Sequence, residues 1–123
     1  MDTRKKGNAG EDLAVRFLCD NGYDVIARNY RLDDCEIDIV FKDSKNVSYG
    51  VNEYIVFAEV KYREDHISGY GFEAVTKKKM KKILKAAKHF LYTGRYSDDT
   101  PVRFDVISIE KDKIDHIINA FEG

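Results

Sequence analysis

The sequence predicts an α/β fold with the element order αβββαββ, a central mixed sheet flanked by helices, and three observations carry that expectation. The run Tyr54-Ile55-Val56-Phe57-Ala58 is continuously apolar or aromatic between polar segments, the signature of a buried central strand. Apolar residues recur at helical spacing twice, at Ala14, Phe17 and Leu18 and at Met80, Ile83, Leu84, Ala87 and Leu91. Several shorter runs alternate with the two-residue period of a strand.

In chain order, a first helix follows Gly7-Asn8-Ala9-Gly10 and stops at Gly22. Glu11 lies three residues before Ala14 and seven before Leu18, so it shares their inward face. Two readings of that inward acid stand side by side: a capping box with Asn8 as N-cap, or an acid serving a site. Tyr23 to Arg31 reads as the first strand and Asp33-Asp34-Cys35 as a turn. In Glu36 to Lys42, Ile37, Ile39 and Phe41 fall on one face and Glu36, Asp38 and Val40 on the other. That strand is expected to pair antiparallel with the apolar run, across a polar hairpin loop from Lys42 to Glu53 longer than usual.

The apolar run continues as Glu59-Val60-Lys61, which puts Glu59 and Lys61 on one side of the strand, one pleat apart. Tyr62 to Val75, with Gly69 and Gly71, reads as a connection. A second helix runs from an N-cap at Thr76 to about Gly94. After Pro101, Val102 to Glu110 and Ile114 to Phe121 complete the sheet, with the helices on opposite faces or both on one.

At 123 residues the chain suits a single domain, residues 1 to 123, with one core. A composition of 43% hydrophobic and 35% charged residues is that of a globular protein rich in surface charge. No apolar run nears the ~18 residues of a membrane helix, and Met1 to Lys6 leads into no apolar signal core. The expectation is a cytoplasmic protein without a membrane partner. Cys19 and Cys35 lack metal-knuckle spacing and are expected to be free thiols packed as small hydrophobes. His66, His89 and His116 lack ligand spacing as well.

Net charge is −1, yet residues 77 to 95 hold seven lysines and Arg95 with no acid, a local +8 that leaves −9 elsewhere. Lys77, Lys78, Lys79, Lys81 and Lys82 crowd the start of the second helix, where the dipole disfavours cations. Such a basic footprint points to a polyanion, nucleic acid above all; a merely solvated lysine face is the plainer alternative.

Asp38 and Glu59, on adjacent strands, offer the hard oxygen ligands that Mg²⁺ prefers, and Lys61 lies beside them to orient water or offset negative charge. The parts fit metal-dependent hydrolysis of nucleic acid. With 8 Glu and 14 Lys in 123 residues, about one Glu-x-Lys triplet is expected by chance, so the weight rests on its place at the end of a buried strand. A cross-strand ion pair on an open sheet face is the competing account.

The pattern Gly10-Glu11, Gly22-Tyr23, Asn29, Glu36-Ile37-Asp38, Glu59-Val60-Lys61, Arg63, Glu73-Ala74-Val75-Thr76, Lys79 and Arg103-Phe104-Asp105-Val106-Ile107 resembles the YraN-like proteins, small bacterial predicted endonucleases, nearly end to end. The resemblance implies a restriction-endonuclease-like fold of the PD-(D/E)xK nuclease superfamily. It implies a Mg²⁺- or Mn²⁺-dependent endonuclease acting on DNA, with Asp38 and Glu59 as metal-binding acids, Lys61 as the catalytic lysine and Glu11 as a helix-borne acid beside the site. Similar arrangements occur in archaeal Holliday-junction resolvases, which act as homodimers on branched DNA. A catalytically silent nucleic-acid-binding module is the alternative, and a protein-contact patch of Tyr62, Tyr70, Phe72 and Tyr92 a third. One departure stands out: Cys35 occupies a position where the family usually has glycine.

Overall fold

The computed structural model describes residues 3–63, 77–111 and 113–121. The elements are α1 (Thr3–Asp20), β1 (Asp24–Leu32), β2 (Cys35–Asp43), β3 (Tyr54–Arg63), α2 (Lys77–Thr93), β4 (Val102–Glu110) and β5 (Lys113–Phe121), the αβββαββ order expected from sequence. The strands lie in chain order across one sheet, so β3 is central. Its neighbour β2 runs antiparallel to it and β4 parallel, which makes the sheet mixed. Thr76, His66, Tyr70 and Phe72, named from the sequence, lie outside the described residues.

Each face of the sheet carries one helix, because β3 is apolar on both sides. Val56 and Ala58 join Ile39, Phe41, Ile107 and Ile109 under Ala14 and Leu18 of α1. Ile55 and Phe57 join Val40 and Phe104 under Ile83, Ala86 and Ala87 of α2. Burying such side chains stabilises by about 1.5–3 kcal/mol each, which makes this double-sided burial of β3 the main cohesive term.

Two local expectations fail. Asn8 lies inside α1, which starts at Thr3, so it cannot cap the helix and the capping-box account of Glu11 falls. Gly10 shows why α1 carries a glycine there: a Cβ on it would lie 3.0 Å from three atoms of Tyr62, so the helix crosses β3 at close approach. Tertiary contact has outweighed helix propensity. Strict alternation in β2 fails too, because Ile37 packs with the α2 cluster while Ile39 and Phe41 pack with the α1 cluster. The irregularity has a partner on β1, where Asn29 takes a left-handed φ of 53° and the register shifts between Val25 and Ala27. Such breaks re-aim side chains. The α1 stop at Gly22 does hold, with φ +86° and the Tyr23 N–H donating to Leu18 O at 3.0 Å.

Beside the C-terminal end of α1, a buried polar network fastens the sheet. Arg103 donates to Asp105 through Nε (2.9 Å) and NH2 (2.8 Å), pairs with Asp43 at 2.8 Å and donates to Asn46 O at 3.0 Å. Asp105 also meets His116 Nε2 at 2.7 Å and accepts the Asn119 N–H at 2.9 Å. These bonds hold the Asp105 carboxyl below its ordinary range although burial, the largest influence, pushes it up. Asp105 is therefore a hydrogen-bonded buried acid. Arg103→Ala would leave Asp43 and Asp105, both fully buried, without their cation; the expected loss is about 3–5 kcal/mol, read by urea denaturation.

Candidate functional site

The register of β2 against β3 runs from Asp43↔Tyr54 to Ile39↔Ala58 and no further. Beyond that point β2 pairs only with β1, through Ile37, Glu36 and Cys35, and β3 only with β4, through Glu59 to Arg63. The sheet forks. At the crotch, Asp38 Oδ2 accepts the Val60 N–H at 2.8 Å, so a side chain takes the amide that a ladder would otherwise use.

A cavity of about 500 Å³ opens at this fork, lined by Asp34, Cys35, Glu36, Asp38, Glu59, Lys78, Lys79 and Lys82. Asp38 and Glu59 thus face one space. On the α1 side, Glu11, Glu36 and Asp38 bring one carboxylate oxygen each within 4.8 Å of one another. On the α2 side, Glu59 Oε1 meets Lys61 Nζ at 3.4 Å and is held by Lys79 as well.

Crowding and burial load this centre electrostatically. Burial first, then the charges of Glu11, Glu59 and Glu36, push the Asp38 carboxyl from 3.8 up to about 7, against the pull of the Val60 N–H. Glu11 is raised by burial and by Glu36, opposed by a hydrogen bond from Asn29 and by Arg28, whose NH2 stands 3.8 Å away. For Lys79, burial disfavours the ammonium, but the hydrogen bond and charge of Glu59 and the charge of Asp38 hold its pKa above the ordinary value. Among the described residues, Glu11 Oε1 and Glu59 Oε2 are buried without a hydrogen-bond partner. Buried carboxylate oxygens that accept no hydrogen bond are costly and call for another partner.

Of the residues named from sequence, Glu11, Asp38, Glu59 and Lys61 come together around the fork. The lysines divide. Lys77, Lys78 and Lys81 are exposed, whereas Lys79 turns in to Glu59 and Lys82 pairs with Asp34 at 2.5 Å. Two of the acids that answer the lysine-rich helix come from the β1–β2 turn, since Lys85 also reaches Asp33 at 3.5 Å. Glu36 was not singled out as a site residue, although the two-residue spacing from Asp38 placed both acids on one face. The thiols are free; Cys35 is buried as expected, but Cys19 is exposed. His116 is taken up by Asp105, and His89 Nδ1 by Tyr30 OH at 2.5 Å.

A mixed sheet between two helices, forked over a buried acidic centre and edged by lysines, defines the class: a small α/β protein with a charged centre at its strand ends. The chain belongs to the UPF0102 family, described as an uncharacterised protein family, whose model matches residues 10–109. It is 39% identical over 123 residues to a UPF0102 protein of Lachnoclostridium phytofermentans, covering 100% of this chain and 98% of the relative. A UPF0102 protein of Clostridioides difficile is 40% identical, over 98% of this chain and 100% of its own length. One of Legionella pneumophila is 36% identical, over 98% of each. No described helix is long and apolar enough to cross a membrane.

The raised Asp38 sets a pH dependence. Between about 4 and 7 the folded protein keeps a proton that the unfolded chain has lost, so this group makes stability fall as pH rises. In metal-free buffer, Asp38→Asn is expected to exceed wild type by about 1–2 kcal/mol at pH 8, a figure discounted for partial exposure, and to bring no gain at pH 4. Urea denaturation at both pH values checks this; an equal gain at both would mean that ionisation is not the cause.

Proposed function

We propose that this chain is a metal-dependent endonuclease of the restriction-endonuclease-like, PD-(D/E)xK class, hydrolysing phosphodiester bonds of DNA, with branched or recombination intermediates as its substrates. One observation carries the reading: buried oxygens of Glu11 and Glu59 that accept no hydrogen bond flank an Asp38 pushed up to about 7. Crowded hard carboxylates fit Mg²⁺ or Mn²⁺, which Asp38 and Glu59 would hold; Glu11 and Glu36 each bring an oxygen within 4.8 Å of Asp38. A divalent ion bound there supplies an acidified water and neutralises phosphate charge.

The chain's own groups do the rest. Lys61, 3.4 Å from Glu59, is placed to orient the attacking water or to offset the extra charge on the phosphorus oxygens. Exposed Lys77, Lys78 and Lys81 hold the substrate backbone at the cavity rim. The alternative, a catalytically silent nucleic-acid-binding module, draws support from one feature: Glu59 Oε1 is already neutralised by two ammonium groups, Lys61 and Lys79.

Incubation of plasmid, single-stranded and four-way-junction DNA with Mg²⁺ or Mn²⁺ separates the two. Cutting is expected, with a loss of roughly a hundredfold or more in Asp38→Asn and in Lys61→Ala. Cutting that survives both substitutions would locate the chemistry elsewhere, and salt-sensitive binding without any cutting would favour the silent module.

A further inference from the structure

The lysine-rich helix ends at a second feature that the fork does not use. The last turn of α2 and the residues after it enclose a groove of about 980 Å³, lined by Lys88, Tyr92, Arg95, Tyr96 and Asp98 among others. Tyr92 is 83% exposed there, so its ring does no packing work for the core. Lys88 and Arg95 are also exposed, and together they outweigh Asp98.

The groove is rigidly built. Gly94 N–H donates to Phe90 O at 3.0 Å and Tyr96 N–H to Leu91 O at 2.9 Å, closing the helix. A Cβ on Gly94 would lie 2.7 Å from the Tyr96 ring, which itself stacks on Phe90 at 6.0 Å. Arg95 therefore takes the left-handed position of this cap, φ 60°, where glycine is usual. Arginine rarely adopts that conformation, and it sets the Arg95 backbone at the groove.

Spacing ties the groove to the fork. Lys78, which lines the acidic cavity, is followed by Lys81, Lys85, Lys88 and Tyr92 at i+3, i+7, i+10 and i+14, one stripe of the helix. At 1.5 Å per residue the stripe is about 21 Å long, equal to about six stacked nucleotides at 3.4 Å each. A cationic track that ends on an exposed aromatic ring is the arrangement that holds single strands, since phosphates follow the charge and an unpaired base stacks on the ring.

We infer that the Lys88–Tyr92–Arg95 groove is a binding subsite for an unpaired nucleotide, so that the strand held along α2 is single-stranded about six nucleotides from the fork. This rests on the nucleic-acid part of the proposed function and names its substrate class: a nucleic acid with an unpaired segment. A duplex offers no free base face to Tyr92 and would meet the lysines alone.

The test is binding, measured by fluorescence anisotropy in EDTA so that no cleavage intervenes. The probes are a labelled oligothymidine strand, an oligouridine strand and a duplex, against wild type, Tyr92→Ala, Tyr92→Phe and Arg95→Ala. Tyr92→Ala is expected to weaken strand binding roughly tenfold or more and to leave the duplex unchanged, while Tyr92→Phe stays within about twofold of wild type. Arg95→Ala is expected to lower the salt slope of strand binding by about one. The two strand probes tell DNA from RNA, and an effect with either supports the subsite. Wild type that binds no strand overturns the inference, as does a Tyr92→Ala effect that is absent or equal on the duplex. Because Tyr92 is exposed, circular dichroism of the variant is expected to match wild type, which keeps a loss of binding interpretable. A Tyr92 effect without any cutting by wild type would sink the nuclease and keep the subsite; cutting with no Tyr92 effect would do the reverse.

Discussion

The hydrogen bond from Val60 N–H to Asp38 Oδ2 governs the geometry of the centre. A five-stranded sheet that paired β2 and β3 along their full lengths would bring no opening at the ends of these strands. By offering a carboxylate oxygen in place of a backbone carbonyl, Asp38 satisfies the amide while releasing the strands from each other. The buried donor stays partnered, and the acceptor is a group with oxygen lone pairs to spare. Opening and acid are thus one feature: the residue that parts the strands is the residue that sits in the gap.

The fork also explains how charges from two faces of a sheet meet. Strict alternation would put Glu36 and Asp38 with Val40 on the α2 face; the break between Ile37 and Ile39 instead brings them to Glu11 on α1, while Glu59, Lys61 and Lys79 stay under α2, with a layer of backbone between the two sets. Where that layer parts, the groups share a field, and the influence of Glu59 on the Asp38 carboxyl is its trace. Carboxylates on one side and ammonium groups on the other make a centre polarised across the sheet. Lys79 and Lys82 lie at its boundary, tied to Glu59 and Asp34.

Much of this was legible in the sequence where local pattern and tertiary contact agree. Tyr54 to Ala58 is apolar at every position because both sides are covered, and no other strand segment has that character so plainly. Gly22 ends α1 because only a left-handed residue closes that turn. Reading failed where contacts distant in sequence decide. Asn8 resembles a cap until Gly10 is seen pressed against Tyr62, fifty-two positions away. Ile37, Ile39 and Phe41 alternate in sequence but not in space, because the break at Asn29 on the neighbouring strand turns the chain. The lysines of α2 lack acids within the helix, and the acids they meet come from β3 for Lys79 and, for Lys82 and Lys85, from a turn some fifty residues earlier. Glu36 carried a readable signal in its two-residue spacing from Asp38; its nearness to Glu11 did not.

The Arg103–Asp105 network has a consequence for how the molecule breathes. Strand β5 is the outermost of the sheet, and Asn119, with φ 57°, interrupts its ladder opposite Phe104 and Val106. An edge with such an interruption would ordinarily fray in isolation and exchange its amide hydrogens quickly. Here the amide of Asn119 is bound to Asp105, fully buried and clasped by an arginine that also grips the end of β2. Peeling β5 away would uncover Asp105 and so strip Arg103 of its burial. The rim of the sheet is thereby coupled to its interior, and opening the last strand costs the Asn119–Asp105 bond together with the burial of Asp105.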